Sequence, residues 1–407
     1  MSAPIPCFAP ATGKQLFSIF HDRTMNKRTV FLAAVVLTIF ACSNHDGNSD
    51  SNTCSIGTEG NSLLFSFTSD YATGELRWMS PDSAKYSPGA LSFGQDSYVS
   101  AAGDDLFVLT RYPGILSCVK ARDICDKKAM KQVKLDGENP YEVVITGDKG
   151  YMVLWDTHYI QVFNPGTCTP TGKIPLPELP PLQDGNSSIA SRNPASIKAS
   201  GDTLLITMQR LEWDNLGMSP KTPNGLLVRI NATAKTTIDT IPLKLYNPGI
   251  FGSTVLSRGK LYIPQNGLWD PGMNLLDNSR AGLEAVDLAT GETEVLVTGT
   301  ELGGGVQTIA LDEENQILYM LVYREWRDAP VIPFDLVTKK AGEPLPGIID
   351  GFGGLKFDDA GKKLFVGERE FNRFGLKIYN PATNETVMVR DDGKWPLPPY
   401  SQAIARW

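Results

Sequence analysis

One unit of chain punctuation recurs along residues 60–407 and confines the fold to architectures built from repeated hairpins. A strand, a tight polar turn and a second strand run from Val143 to Val153 around Thr146-Gly147-Asp148-Lys149, and again from Ser196 to Ile206 around Ser200-Gly201-Asp202-Thr203. The same unit recurs around Arg258-Gly259, Glu314-Asn315 and Ala360-Gly361. An aromatic residue, usually beside an acid, follows each hairpin: Trp155-Asp156, Trp213-Asp214, Trp269-Asp270 and Trp326-Arg327-Asp328, with Phe371 once more in that place. A third strand then ends in an apolar residue plus Asn or Asp, as in Phe163-Asn164, Ile230-Asn231, Val286-Asp287, Phe334-Asp335 and Tyr379-Asn380. That acid or amide bonds its own backbone two residues on and fixes the next turn.

The strands read as short apolar-alternating runs, and no stretch carries a 3.6-residue period, so the domain is all-β. The 38 glycines and 28 prolines supply the turns. Units fall at roughly 97–135, 141–176, 193–242, 249–299, 303–345 and 347–389, each long enough for the four strands of a propeller blade. A seventh blade needs both ends of the chain. Asp70 to Glu75 repeats the turn chemistry of Asp287 to Glu292 without a complete hairpin before it, and Ser401 to Trp407 offers the missing inner strand. The expected fold is a β-propeller of seven four-stranded blades closed by N- and C-terminal strands, which removes free sheet edges.

Upstream of the repeats the chain reads as an export segment. Asn26-Lys27-Arg28 after Met25 makes a basic n-region and Val30 to Ala41 a short apolar run, well below the ~20 residues of a spanning helix. Residues 1–41 are expected to be leader and signal peptide, with translation starting at Met25. Ile39-Phe40-Ala41-Cys42 resembles a bacterial lipobox, although Phe40 replaces the usual small residue, and the resemblance makes Cys42 the lipidated N-terminus. Ordinary signal cleavage and an uncleaved anchor are the alternatives. Residues 42–59 then form a tether, since Ser43 to Asn52 holds nothing apolar to bury. By resemblance to Gram-negative lipoproteins, Ser43 after the cysteine points to the outer membrane. Removing the +3 of residues 1–41 takes the net charge from -7 to about -10, and no long Lys/Arg run offsets it, so nucleic acid is not an expected partner. Of the remaining cysteines, Cys118 and Cys125 are spaced to close across a hairpin, with two free thiols as the alternative; the partners of Cys54 and Cys168 stay open.

Leu261-Tyr262-Ile263-Pro264-Gln265-Asn266, followed by Val286-Asp287-Leu288-Ala289-Thr290-Gly291-Glu292, resembles the repeat of YVTN-type propellers, and Leu364 to Gly367 with Tyr379 to Thr383 echoes it. The resemblance implies the fold. It says almost nothing of function, because such propellers include binding proteins, scaffolds and enzymes.

Within a blade, the second-to-third loop and the lead-in to the next blade open on one rim, so the candidate ligand-binding residues are Trp155, Asp156, His158, Trp213, Asp214, Trp269, Asp270, Asp277, Trp326 and Asp328. Aromatic faces beside carboxylates suit sugars, cations or peptides. The competing reading makes each Trp a wedge between blades and each Asp a turn former. After Cys42 only His45 and His158 remain, so a multi-histidine zinc or iron site cannot be built, and no nucleophile elbow, phosphate loop or dinucleotide fingerprint occurs. The rim acids would suit calcium or magnesium, calcium first, and none is assigned. The expected function is noncatalytic binding of an envelope protein, glycan or small ligand on the loop-rich face. A carboxylate- or metal-dependent hydrolase or lactonase using the central channel is the alternative, and a purely architectural role is a third. If Cys42 carries the anchor, a Cys42→Ala variant will leave the membrane fraction, and mass spectrometry of the mature protein will place acyl groups on residue 42; retention of the variant would refute this.

Overall fold

The second strands of the hairpins are apolar on both sides. Leu106-Phe107-Val108-Leu109, Leu204-Leu205-Ile206 and Leu364-Phe365-Val366 are all buried, so the expected alternation gives way to continuous apolar runs. A run of this kind needs cover on both faces of its sheet. The computed structural model shows what covers it. It describes residues 62–407 except 70–72, 84, 88, 127, 138, 180–192, 212–223, 251–252, 270–274, 370–373 and 390–396, all within one compact unit, Thr53–Trp407.

The described residues form seven four-stranded antiparallel sheets arranged as the blades of a ring. Six are sequential: Ser97–Lys134, Pro140–Pro175, Pro194–Pro242, Val255–Thr298, Gly305–Ala341 and Gly351–Val389, here blades 2 to 7. Blade 1 places the C-terminal strand Ser401–Arg406 inside Ser62–Ser69, Thr73–Met79 and Leu91–Gly94. The expected closure from both termini is therefore the observed one.

Seven apolar clusters lie between the blades, one at each junction. Leu204 and Ile206 pack backward onto Val153 and Ile160 of blade 3, whereas Leu205 between them packs forward onto Leu261 and Ile263 of blade 5. Phe107 and Phe163 meet edge-on, ring centroids 5.8 Å apart, between blades 2 and 3. The closing junction holds Leu64, Met79, Phe365 and Val389. The period of two along a strand thus serves two neighbours.

The Cys118–Cys125 pairing is corrected. Cys118 is bonded to Cys168 of the next blade, Cα atoms 5.8 Å apart, and Cys125 is itself disulfide-bonded. The residue facing Cys118 across its hairpin is Lys131. Cys118 packs into the junction of blades 2 and 3, while Cys125, in the connection beyond that strand, lies against the junction of blades 1 and 2, so the two sulfurs serve opposite sides of blade 2. Closing a loop with a separation of 50 residues stabilises by about 4 kcal/mol on the chain-entropy account. Cys42 and Cys54 lie outside the described residues.

The C-terminal strand is bound on three sides. Its six residues pair with Ser62–Phe67, Val99 N–H of blade 2 donates to Ser401 Oγ at 3.0 Å, and Gly354 N–H of blade 7 donates to Tyr400 O at 2.8 Å. Arg406 also forms an ion pair with the buried Asp358. At about 1 kcal/mol net for each hydrogen bond, removing Ser401–Trp407 should cost on the order of 5 kcal/mol and lower the midpoint of one cooperative transition. Thermal or urea unfolding followed by two probes checks this; an unchanged midpoint would mean the ring does not depend on the seam.

Candidate functional site

Four lead-in residues have left-handed backbone: Asp96, Asn139, Asn193 and Asn247, with φ of 58°, 56°, 43° and 61°. Short polar side chains tolerate this region because they bond locally, and Pro140, Pro194 and Pro248 follow the three asparagines. Each carbonyl then takes the N–H of a residue just past its blade's second strand: Arg111 at 3.2 Å, Trp155 at 2.9 Å, Gln209 at 3.0 Å and Asn266 at 2.9 Å. In blade 7, Arg369 N–H donates to Asp350 O at 2.9 Å in the same manner. A ring of side chains is thereby fixed on one rim.

The rim surrounds the mouth of a channel lined by all seven inner strands, with a cavity of about 1430 Å³. One side of the mouth is a polar network. Arg111 donates to Asp96 Oδ2 at 2.7 Å and to Asn139 Oδ1 at 2.8 Å, while its guanidinium stands 5.1 Å from the Tyr141 ring. Tyr98 and Tyr400 meet edge-on, centroids 5.3 Å apart. Burial, and then the Asp96 carboxylate, hold both phenols above their ordinary pKa, so they stay protonated. On the other side, Arg369 bonds Asp350 at 2.7 Å and lies between two rings, 4.6 Å from Trp326 and 4.7 Å from Phe352.

Deeper in the channel, register sets the layers. Lys198 and Lys356 each stand two residues before the last pair of their hairpin, at the level of Ser100, Val144, Val255, Ala310 and Ile404 in the other blades. Two ammonium groups therefore enter a layer otherwise made of small or apolar side chains. Lys198 forms an ion pair with the buried Glu142, which also accepts from Ser196 Oγ at 2.6 Å and Ile197 N–H at 2.7 Å. Burial, and then the Lys198 cation, push Lys356 below the ordinary lysine range.

Of the rim residues expected from sequence, Trp326 alone among the described ones lines the channel, and it is 68% exposed. Trp155 is a wedge: it stacks on Tyr141 at 6.1 Å, donates Nε1–H to Gln209 Oε1 of blade 4 at 2.7 Å, and packs into the junction of blades 3 and 4. Asp156 accepts from Asn139 Nδ2. His158 is exposed and away from the channel lining. Trp269 is half-buried against Tyr323, centroids 4.9 Å apart. Asp277 caps a short 3-10 turn, accepting Ser279 N–H at 2.8 Å, and Asp328 pairs backbone groups with Glu325. Trp213, Asp214 and Asp270 lie outside the described residues. The three described rim tryptophans are not equivalent: Trp155 directly follows its strand, whereas Trp269 and Trp326 come later in their loops.

Sequence reasoning passed over Lys198, Lys356 and Arg369. The signal for the lysines was a cation inside an apolar inner strand, at the same distance before the turn in Ser196-Ile197-Lys198-Ala199-Ser200 and Gly354-Leu355-Lys356-Phe357-Asp358. Among the described residues, no group of three or more His, Cys, Asp or Glu side chains could hold a metal ion.

Neither known family models nor curated sequences match the chain. Among solved structures it is similar to a putative 6-phosphogluconolactonase from Bacteroides uniformis, at 13% identity and TM-score 0.59 over 84% of this chain and 99% of that one. A putative 6-phosphogluconolactonase from Bacteroides fragilis gives 13% identity and TM-score 0.55 over 86% and 99%. Kuenenia stuttgartiensis hydrazine synthase gives 14% and 0.54 over 81% and 95%. At such identities the likeness is one of fold, the β-propeller.

Burial separates the tryptophans by role. Trp155→Ala should cost about 3 kcal/mol, because it empties a junction between blades, while Trp326→Ala should stay within about 0.5 kcal/mol. Urea denaturation of both variants checks the contrast, and equal losses would refute it.

Proposed function

We propose that this chain is a noncatalytic binding protein of the bacterial cell envelope, held to the membrane through lipid on Cys42, that takes a small ligand at the aromatic mouth of its channel. Trp326 carries the reading. Its indole is exposed yet held in place by the Arg369 guanidinium at the opening of a large cavity, and a ring fixed in advance binds a ligand at little entropic cost. Two of the mouth's cations are matched, Arg111 by Asp96 and Arg369 by Asp350, and aromatic faces stand beside them. An envelope protein or glycan on the same rim is the broader version of this reading, and the YVTN-like turns are consistent with it.

The competing enzyme reading, a lactonase or other hydrolase, draws on the names of the two Bacteroides structures, with which this chain shares only the fold. The two diverge in one experiment. Tryptophan fluorescence is followed as cell-wall glycan fragments, short peptides and small organic acids are added, and lactone hydrolysis is assayed in parallel with and without calcium. Trp326→Ala should weaken binding of the responding ligand about tenfold without altering the fold. Turnover that survives Trp326→Ala, or binding lost only on trimming residues 215–224, would overturn the mouth as the site.

A further inference from the structure

Of the two lysines that enter the channel's inner layer, one is paired and the other is not. Lys198 is matched by Glu142, which also accepts from Ser196 and Ile197. Lys356, entering the same layer from three blades away, makes no hydrogen bond or ion pair with a described residue. Its charged surroundings are Lys198 and Arg406 on one side of the balance and Asp359 and Glu142 on the other. Arg406 is engaged by Asp358, and Asp359 is exposed on the turn beyond the strand. Lys356 is half-buried and opens onto the channel, where partial burial and the Lys198 cation disfavour its charged form, so an anion beside it would be favoured.

One layer nearer the mouth lies an acceptor without a donor. Gln402 is 9% exposed, it lines the channel, and its Nε2 donates to Pro399 O at 2.9 Å, while no described donor reaches its Oε1. That oxygen lies over Gly354, where a Cβ would come within 2.9 Å of it. Gly354 precedes Lys356 by two residues on the same inner strand and both line the channel, so the lone acceptor and the unanswered cation lie close together along one wall.

We infer that the channel between Lys198 and Lys356 is a binding site for the carboxylate of a small organic acid, oriented by a hydroxyl or N–H next to that carboxylate donating to Gln402 Oε1. A monoanion answers the single unmatched charge, whereas a dianion would leave the apolar layer of Val144, Val255, Ala310 and Ile404 holding net negative charge. The apolar layer and the aromatic mouth favour an acid with a ring or short alkyl body. The site rests on the proposed mouth only for its route of access.

Mandelate supplies carboxylate, hydroxyl and ring together; phenylacetate lacks the hydroxyl, and inorganic phosphate replaces the monoanion. Calorimetry at constant ionic strength should show mandelate binding severalfold more tightly than phenylacetate, and phosphate no better than chloride. Lys356→Met should weaken mandelate at least tenfold. The same variant should melt higher than the parent at pH 7, because it removes a charge that folding desolvates, and this keeps the test independent of folding failure. The gain should fade as pH rises toward the unfolded lysine pKa of about 10.4, since a base depressed in the folded state ceases to penalise folding once both states are neutral. Gln402→Leu should erase the preference for mandelate over phenylacetate. Mandelate affinity unchanged by Lys356→Met, or phosphate bound in its place, would overturn the site. Trp326→Ala run alongside separates the two readings: loss there with Lys356→Met unaffected removes the anion site and keeps the mouth, and the reverse keeps the site and removes the mouth.

Discussion

Burial of every blade against both of its neighbours is the constraint on which the rest of this molecule depends. A second strand such as Leu204-Leu205-Ile206 serves two junctions at once, so no blade can leave without exposing two apolar faces. A ring is the arrangement that satisfies all seven together, and at the seam it requires chain from both termini. The seam is secured accordingly, with Ser401–Arg406 paired inside Ser62–Phe67 and tied sideways to Val99 and Gly354. The Cys118–Cys168 bond adds a covalent link between blades 2 and 3.

The same closure creates the channel. Inner strands have no further sheet partner, so their channel-facing side chains are released from packing and become available for other work. Most are small or apolar, which makes Lys198 and Lys356 conspicuous on physical grounds: Lys198 is answered by Glu142, whereas Lys356 enters the same layer without an acid paired to it. At the mouth, Arg111 and Arg369 are instead answered from within the rim, by Asp96 and Asp350. Binding energy there is expected from rings, and in the channel from charge.

How much of this could be read beforehand depended on whether the information was local. The hairpin turns and the Asn or Asp turn formers are stretches of a few residues whose chemistry acts on their own backbone, and they marked the blades in place. The rim tryptophans looked alike because each follows a hairpin within a few residues. Yet Trp155 is drawn into a junction by Tyr141 and Gln209, whereas Trp326 is left outside on Arg369. Loop length and partners on other strands, Gln209 lying 54 residues from Trp155 and Arg369 in the blade after that of Trp326, decided between wedge and exposed ring, and neither is visible in a Trp-Asp pair.

The sequence by itself determined the all-β class, the extent of the repeats and the need to close the ring from both ends, because turn chemistry and strand period are written residue by residue. Tertiary structure alone decided which side chains meet. Bulges between Pro140 and Glu142, Pro194 and Ser196, and Gly351 and Leu355 shift the pleat by a residue or more and so choose which side chains face the channel. Ring geometry then sets Lys356 level with Lys198 across three blades, and the two faces of blade 2 send Cys118 to Cys168 rather than to Cys125. These outcomes belong to the closed ring, since each joins residues that no short stretch of chain brings together.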